Sequence, residues 1–259
     1  MTAPRDGPAH DRPNDRHRAN PLQLLLVDIA STLAALEFEE QATPRLSADQ
    51  VARFDQKSDA RGIDDARNWR AAHIALRIAL ERETGSAIRC AAYDLEPGGR
   101  PVVKRLAAMK AVPHFSLAHA GGVALIAIST SGPVGVDLEV SRDISVGGER
   151  RARIENAAHG LAPHAPLPDS PDERFLQAWV RLEAVAKATG LGIGRVLNEA
   201  GAVGTAKASA KTPLTGQGTV VDLDVGYGRF AALAAAKLPQ IVAVQEFPAD
   251  AAAIARFLA

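Results

Sequence analysis

From Asp64 to Glu83 the positions Trp69, Ala72, His73, Leu76, Ala79 and Leu80 recur three and four residues apart, with arginines between them. That spacing predicts an amphipathic helix, which Gly85 is placed to stop. The pattern then predicts a strand over Ile88 to Leu95, a turn at EPGGRP, and two strand-like runs, HFSLAHA and VALIAIS, on either side of Gly121 and Gly122. Paired glycines accept the positive φ angles of primed turns, so these runs read as a tight hairpin. After TSGP, the run VGVDLEV alternates Val134, Val136, Leu138 and Val140 with Gly135, Asp137 and Glu139, a period of two that sends one set to a core and the acids to the opposite face. Helices are expected over Gly148 to Leu161 and Asp172 to Thr189, with the Pro-rich APHAPLPDSPD between them. Strands are expected in VVDLDVGYGRF, AALAAA and IVAVQEF, and a last helix over Ala249 to Leu258.

A shift of 107 positions lays FSLAHAGGVALIAIS over DLDVGYGRFAALAAA and pairs Gly121 with Gly228 and Glu139 with Glu246, a weak internal similarity that suggests two related α/β halves. His119 then meets Gly226 and Asp137 meets Val244, so histidine and carboxylate chemistry belongs to the first half alone.

Asp137 and Glu139 sit two apart on one strand face, where their charges repel unless a cation intervenes. A hard cation such as Mg²⁺ suits such oxygens, and the same spacing also fits the wet face of an amphipathic strand. In FLQAWVRLEAVAKATG, a turn of 100° per residue gathers Phe175, Trp179, Leu182, Val185 and Ala186 in one apolar arc. Glu183 falls at its margin and Lys187 one turn on, positioned to reach a cleft or to form an ordinary exposed pair. His119 ends a strand beside the glycine turn, where a side chain projects toward a ligand or packs structurally. Gly98 to Pro101 allows a backbone to approach a ligand or simply turns the chain. Arg67, Arg70 and Arg77 offer bidentate phosphate geometry or a solvated helix face.

The chain has 259 residues, enough for a core without metal or disulfide staples. Its 30 basic and 30 acidic residues balance, which removes nucleic acid and broad membrane attraction as expected partners. A single cysteine, Cys90, excludes an internal disulfide and a multi-thiolate zinc site and fits a reducing, cytoplasmic setting. Residues 1–20 are polar and read as a loose tail, and PLQLLLVDIA is too short and too interrupted by Asp28 for a signal peptide or membrane span.

Taken in order, GRP, HFSLAHAGG, GPVGVDLE and WVRLEAVAKATGLGI resemble the successive motifs of the surfactin-type 4′-phosphopantetheinyl transferases, over about Asp64 to Ala236. The resemblance implies an α/β (α+β) fold of two similar halves about a pseudo-two-fold axis, with coenzyme A in the cleft between them. The expected division is a tail over 1–20, an N-terminal half over 21–140 and a C-terminal half over 141–259. The implied activity moves the phosphopantetheine arm of coenzyme A to a serine of an acyl or peptidyl carrier protein and releases 3′,5′-ADP.

Carried onto matching positions, the resemblance makes Asp137, Glu139 and Glu183 ligands of Mg²⁺, and Glu183, directly or through a bound water, is then the expected acceptor of the serine proton. His119 becomes a phosphate contact and Lys187 a partner of the diphosphate. Gly99, Arg100 and Pro101 line the nucleotide end, and either Arg67 or Arg70 meets the 3′-phosphate. Arg142, Arg150, Arg151 and Arg153 are candidates for docking an acidic carrier helix, and a monomer is implied. The chain departs from the family in having Ala118 and Ala120 where serines commonly flank the histidine, and Leu182 where lysine often precedes the helix glutamate. A Mg²⁺-dependent hydrolase of coenzyme A or nucleotide diphosphates, and a non-catalytic coenzyme A binding module, are the rival readings.

Overall fold

The computed structural model describes residues 21–105, 109, 111–200 and 218–259, and the tail over 1–20 lies outside them. The chain opens with β1 (Leu22–Asp28), whose last residue accepts the Ser31 N–H at 3.2 Å and so caps α1 (Ile29–Ala42). A capping box of Ser47 and Gln50 starts α2 (Ala48–Arg61). These three elements have no counterpart in the periodicity reading. Leu24 to Val27 is a continuous apolar run because both faces of β1 are covered, which erases the alternation that marks a half-exposed strand.

The helix expected from Asp64 is α3 (Ile63–Thr84), followed by a 3₁₀ turn at Ser86–Ile88. Here the structure departs from the strand expected over 88–95. Cys90 takes φ of 56° and its N–H bonds to the Arg45 carbonyl, so this segment is spent on tertiary contacts. Only Asp94–Leu95 (β2) remains extended, paired with Pro101–Val102 (β3). The predicted hairpin is β4 (His114–Ala120) and β5 (Val123–Ser129), turning through Gly121 and Gly122 at φ of 55° and 77°.

The predicted alternating strand is β6 (Val134–Val140). It is followed by α4 (Gly148–His159), α5 (Pro171–Thr189) and α6 (Ile193–Glu199). A second hairpin, β7 (Thr219–Leu223) and β8 (Arg229–Ala235), precedes β9 (Val244–Glu246) and α7 (Ala251–Leu258).

One sheet has the order β4-β5-β1-β9 and the other β6-β8-β7. Both are wound alike: an opening strand, helices, then a hairpin whose second strand pairs antiparallel with the opening strand. The hairpins are those that the 107-position shift superposes. Hydrogen bonds assign β6 to the second sheet, while β9 lies parallel to β1 in the first, so the sheets cross the 140/141 division expected from the sequence. The result is the mixed α/β fold class that was expected. Among the described residues no helix is long and apolar enough to cross a membrane.

The two sheets pack face to face. Leu24, Leu26, Leu125, Val136, Leu138, Ala231 and Leu233 form the apolar layer between them. α1, α3 and α7 cover the far side of the first sheet through Ile29, Leu36, Ile74, Ile78 and Ile254, and α4 and α5 cover the second through Ile154, Leu176, Val180 and Leu182.

Candidate functional site

The alternation of β6 sends Val134, Val136 and Leu138 between the sheets, as expected, but the opposite face is covered rather than wet. α5 lies directly on it, and a Cβ added at Gly135 would stand 2.0 Å from the Ala184 carbonyl oxygen and 2.4 Å from the Ala188 nitrogen. That close approach brings Lys187 to Asp137, which is 8% exposed: Nζ donates to Asp137 Oδ1 at 2.7 Å, to the Val136 carbonyl at 3.0 Å and to the Leu117 carbonyl at 3.5 Å. Burial raises the Asp137 carboxyl above its ordinary value against the opposing pull of Lys187. Glu183, one turn before Lys187, is raised as well, first by burial and then by the charges of Asp137 and Glu139. The three acids therefore share one electrostatic field.

They do not form a ligand set as the side chains stand. Glu139 accepts from Arg142 Nη1 at 2.7 Å and Asp137 is held by Lys187. Among the described residues no group of three His, Cys, Asp or Glu side chains is gathered closely enough to hold a metal ion. As hard oxygen donors with an unrelieved mutual repulsion they suit a divalent cation in kind, but that ion would have to replace Lys187 on Asp137 and Arg142 on Glu139.

Glu183 and Lys187 border a cleft of about 490 Å³ that also takes in His119 from β4, His73 and Trp69 from α3, and Gly99, Arg100 and Pro101 from the β2–β3 turn. Burial lowers the His119 imidazole, and the charges of Lys57 and Lys187 lower it further. His119 faces α3, whereas Ala118, 5% exposed, packs between the sheets. Arg100 does not lie free: Nη1 donates to the Ala188 carbonyl at 2.6 Å and Nη2 pairs with Glu96 at 2.7 Å, which fastens the turn to the C-terminus of α5.

The GGRP turn also serves packing, since a Cβ at Gly98 would stand 1.7 Å from the Gly190 carbonyl oxygen. Leu182 is wholly buried in the α5 core, as its helical phase predicts.

No family model matches the chain. It is 30% identical over 161 residues to a protein of Synechocystis sp. named "Putative 4'-phosphopantetheinyl transferase". The alignment covers 60% of this chain and 61% of that relative.

The arginines expected at the 3′-phosphate do not reach the cleft. Arg67 is 53% exposed beside Asp64 at 3.9 Å, and Arg70 lies 4.0 Å from Glu37 with its guanidinium over Phe54. Arg77 is wholly buried, bonded to Gln50 Oε1 at 2.9 Å and to the Ile88 carbonyl at 3.2 Å. Arg53 borders the cleft instead, and Lys57 borders a smaller adjoining cavity of about 210 Å³ that shares Trp69 and His119 with it. Both are on α2. Its capping box marks a helix start in the sequence, but nothing there marks a binding role.

Of the carrier-facing candidates, Arg151 is engaged with Asp172 at 2.7 Å and with the Pro171 and Ile144 carbonyls, while Arg150 and Arg153 are exposed.

Proposed function

We propose that the protein transfers the 4′-phosphopantetheine arm of coenzyme A to a serine of an acyl or peptidyl carrier protein, releasing 3′,5′-ADP. The observation that carries this reading is the convergence of His119, Glu183 and Lys187 on one cleft, with Asp137 tied to it through Lys187. The similarity to the Synechocystis sp. protein supports it.

In the proposed reaction the serine oxygen forms a bond to the phosphorus that bears pantetheine, the bond from that phosphorus to 3′,5′-ADP breaks, and the serine proton passes to Glu183. A carboxylate raised by burial and by neighbouring charge is a better proton acceptor than an exposed one. Lys187 neutralises the charge gathering on the leaving 5′-phosphate of 3′,5′-ADP, and the His119 ring donates a hydrogen bond to a phosphate oxygen. Mg²⁺ on Asp137, Glu139 and Glu183 would supply electrostatic stabilisation of the diphosphate. Lys57 and Arg53, rather than Arg67 or Arg70, are the cations on hand for the remaining phosphate. The exposed Arg150 and Arg153 are the proposed carrier contacts, and the protein is proposed to work as a cytoplasmic monomer.

The test is the mass of an acyl carrier protein after incubation with this protein, coenzyme A and Mg²⁺. Addition of the arm is expected with wild type and at least a hundredfold less, on the order of the loss of one transition-state contact, with Asp137→Asn. Coenzyme A cleaved without gain of carrier mass would point to a hydrolase, and binding without any reaction to a non-catalytic module.

A further inference from the structure

His73 lies on α3 between Trp69 and Arg77, and it borders the same cleft as His119, Glu183 and Lys187. Its ring stacks on Trp69 with centroids 3.9 Å apart, and Nδ1 is 2.8 Å from the Trp69 carbonyl oxygen. A carbonyl only accepts, so Nδ1 carries the proton and Nε2 is left as a bare lone pair. Nε2, on the other side of the ring, is the nitrogen left for the cleft that His73 lines. Burial lowers this imidazole to about 4, so the ring stays neutral under working conditions.

The cleft is therefore given a fixed acceptor among Trp69, Leu76, Tyr93 and Phe115, with Gln50 and Arg53 also in its lining. An acceptor of this kind cannot bond a phosphate oxygen, itself an acceptor at neutral pH. It meets only an O–H or N–H donor. Apolar and aromatic neighbours suit the flat faces of a nucleoside better than the charged linkage beside Lys187.

We infer that His73 is a specificity-determining residue whose Nε2 accepts a hydrogen bond from an uncharged donor of the nucleoside end of coenzyme A, either the ribose 2′-hydroxyl or the purine amino group. This rests on the function proposed above. A ligand without such a donor covers this lone pair without pairing it, and discrimination follows from that cost.

The experiment is calorimetric binding of adenosine 3′,5′-bisphosphate, which has the nucleoside and lacks pantetheine, to the full chain. His73→Leu should raise Kd about tenfold, the loss of one hydrogen bond, while His73→Gln, whose Oε1 can accept, should stay within about threefold of wild type. The 2′-deoxy and 6-oxo analogues identify the donor: the one that lacks it should bind wild type and His73→Leu alike.

Equal affinity of wild type and His73→Leu for the parent bisphosphate overturns the inference while leaving the transfer reading intact. Equal loss in His73→Leu and His73→Gln, or full sensitivity retained by both analogues, overturns it as well. Wild-type protein that binds neither the bisphosphate nor coenzyme A overturns the transfer reading and this inference together.

Discussion

Glu183 illustrates how a residue's role depends on what surrounds it. In sequence it is one more helix glutamate four positions before a lysine, yet in the fold burial and the charges of Asp137 and Glu139 hold its carboxyl above the ordinary range. If it accepts the serine proton it must be ionised, so kcat/KM should fall as pH drops through that raised value. The acid limb is expected above the ordinary glutamate range, and a limb within or below that range would remove Glu183 as the base.

His73 has the opposite sign. Its folded value of about 4 lies below the unfolded 6.5, so the unfolded chain takes up its proton first and stability is lost as pH falls between those values. The loss should reach roughly 3 kcal/mol by pH 4, and it should be absent from the difference between wild type and His73→Gln above pH 7. Urea titrations at several pH values measure it.

At the scale of elements, the site is made by α5 lying on β6, and Gly135 sets that distance. Gly135→Ala has to push α5 away from the strand. Overpacking of this kind costs about 1–3 kcal/mol, and here it also separates Lys187 from Asp137. A lowered thermal midpoint together with a sharp fall in transfer is expected, and a variant with wild-type rate would show that the Lys187–Asp137 contact is dispensable.

The strands and helices that carry the site were legible because each is amphipathic: β6 shows period two, α5 a single apolar arc, and the β4–β5 turn its paired glycines. α2, which brings Arg53 and Lys57, was passed over because its large apolar residues are few, Val51 and Phe54 among mostly charged and polar neighbours, so its apolar stripe is thin. The strand expected at 88–95 failed because tertiary bonds at Cys90 and Arg89 overrode local propensity.

For the whole molecule, the apolar layer shared by the two sheets predicts that they unfold as one unit. Leu233 is fully buried in that layer, and Leu233→Ala should cost about 2–5 kcal/mol. Because residues from both sheets share the layer, wild type and variant should each melt in one transition. Two separable transitions would show that the halves fold independently.

The sequence by itself determined the β4–β5 hairpin, β6 and α5, because local period and glycine placement mark them, while the mixed α/β fold class and the candidate roles of His119, Asp137, Glu139, Glu183 and Lys187 were expectations that the family resemblance implied. It did not determine which cations reach the cleft. Arg67 and Arg70 lie beside Asp64 and Glu37, and only the packing of α2 on α3 put Arg53 at the cleft and Lys57 at the adjoining cavity. Only the tertiary structure revealed that Lys187 and Arg142 occupy two of the three acids, because a charge seeks the nearest compensating partner in space and the chain's one-dimensional order does not specify that distance.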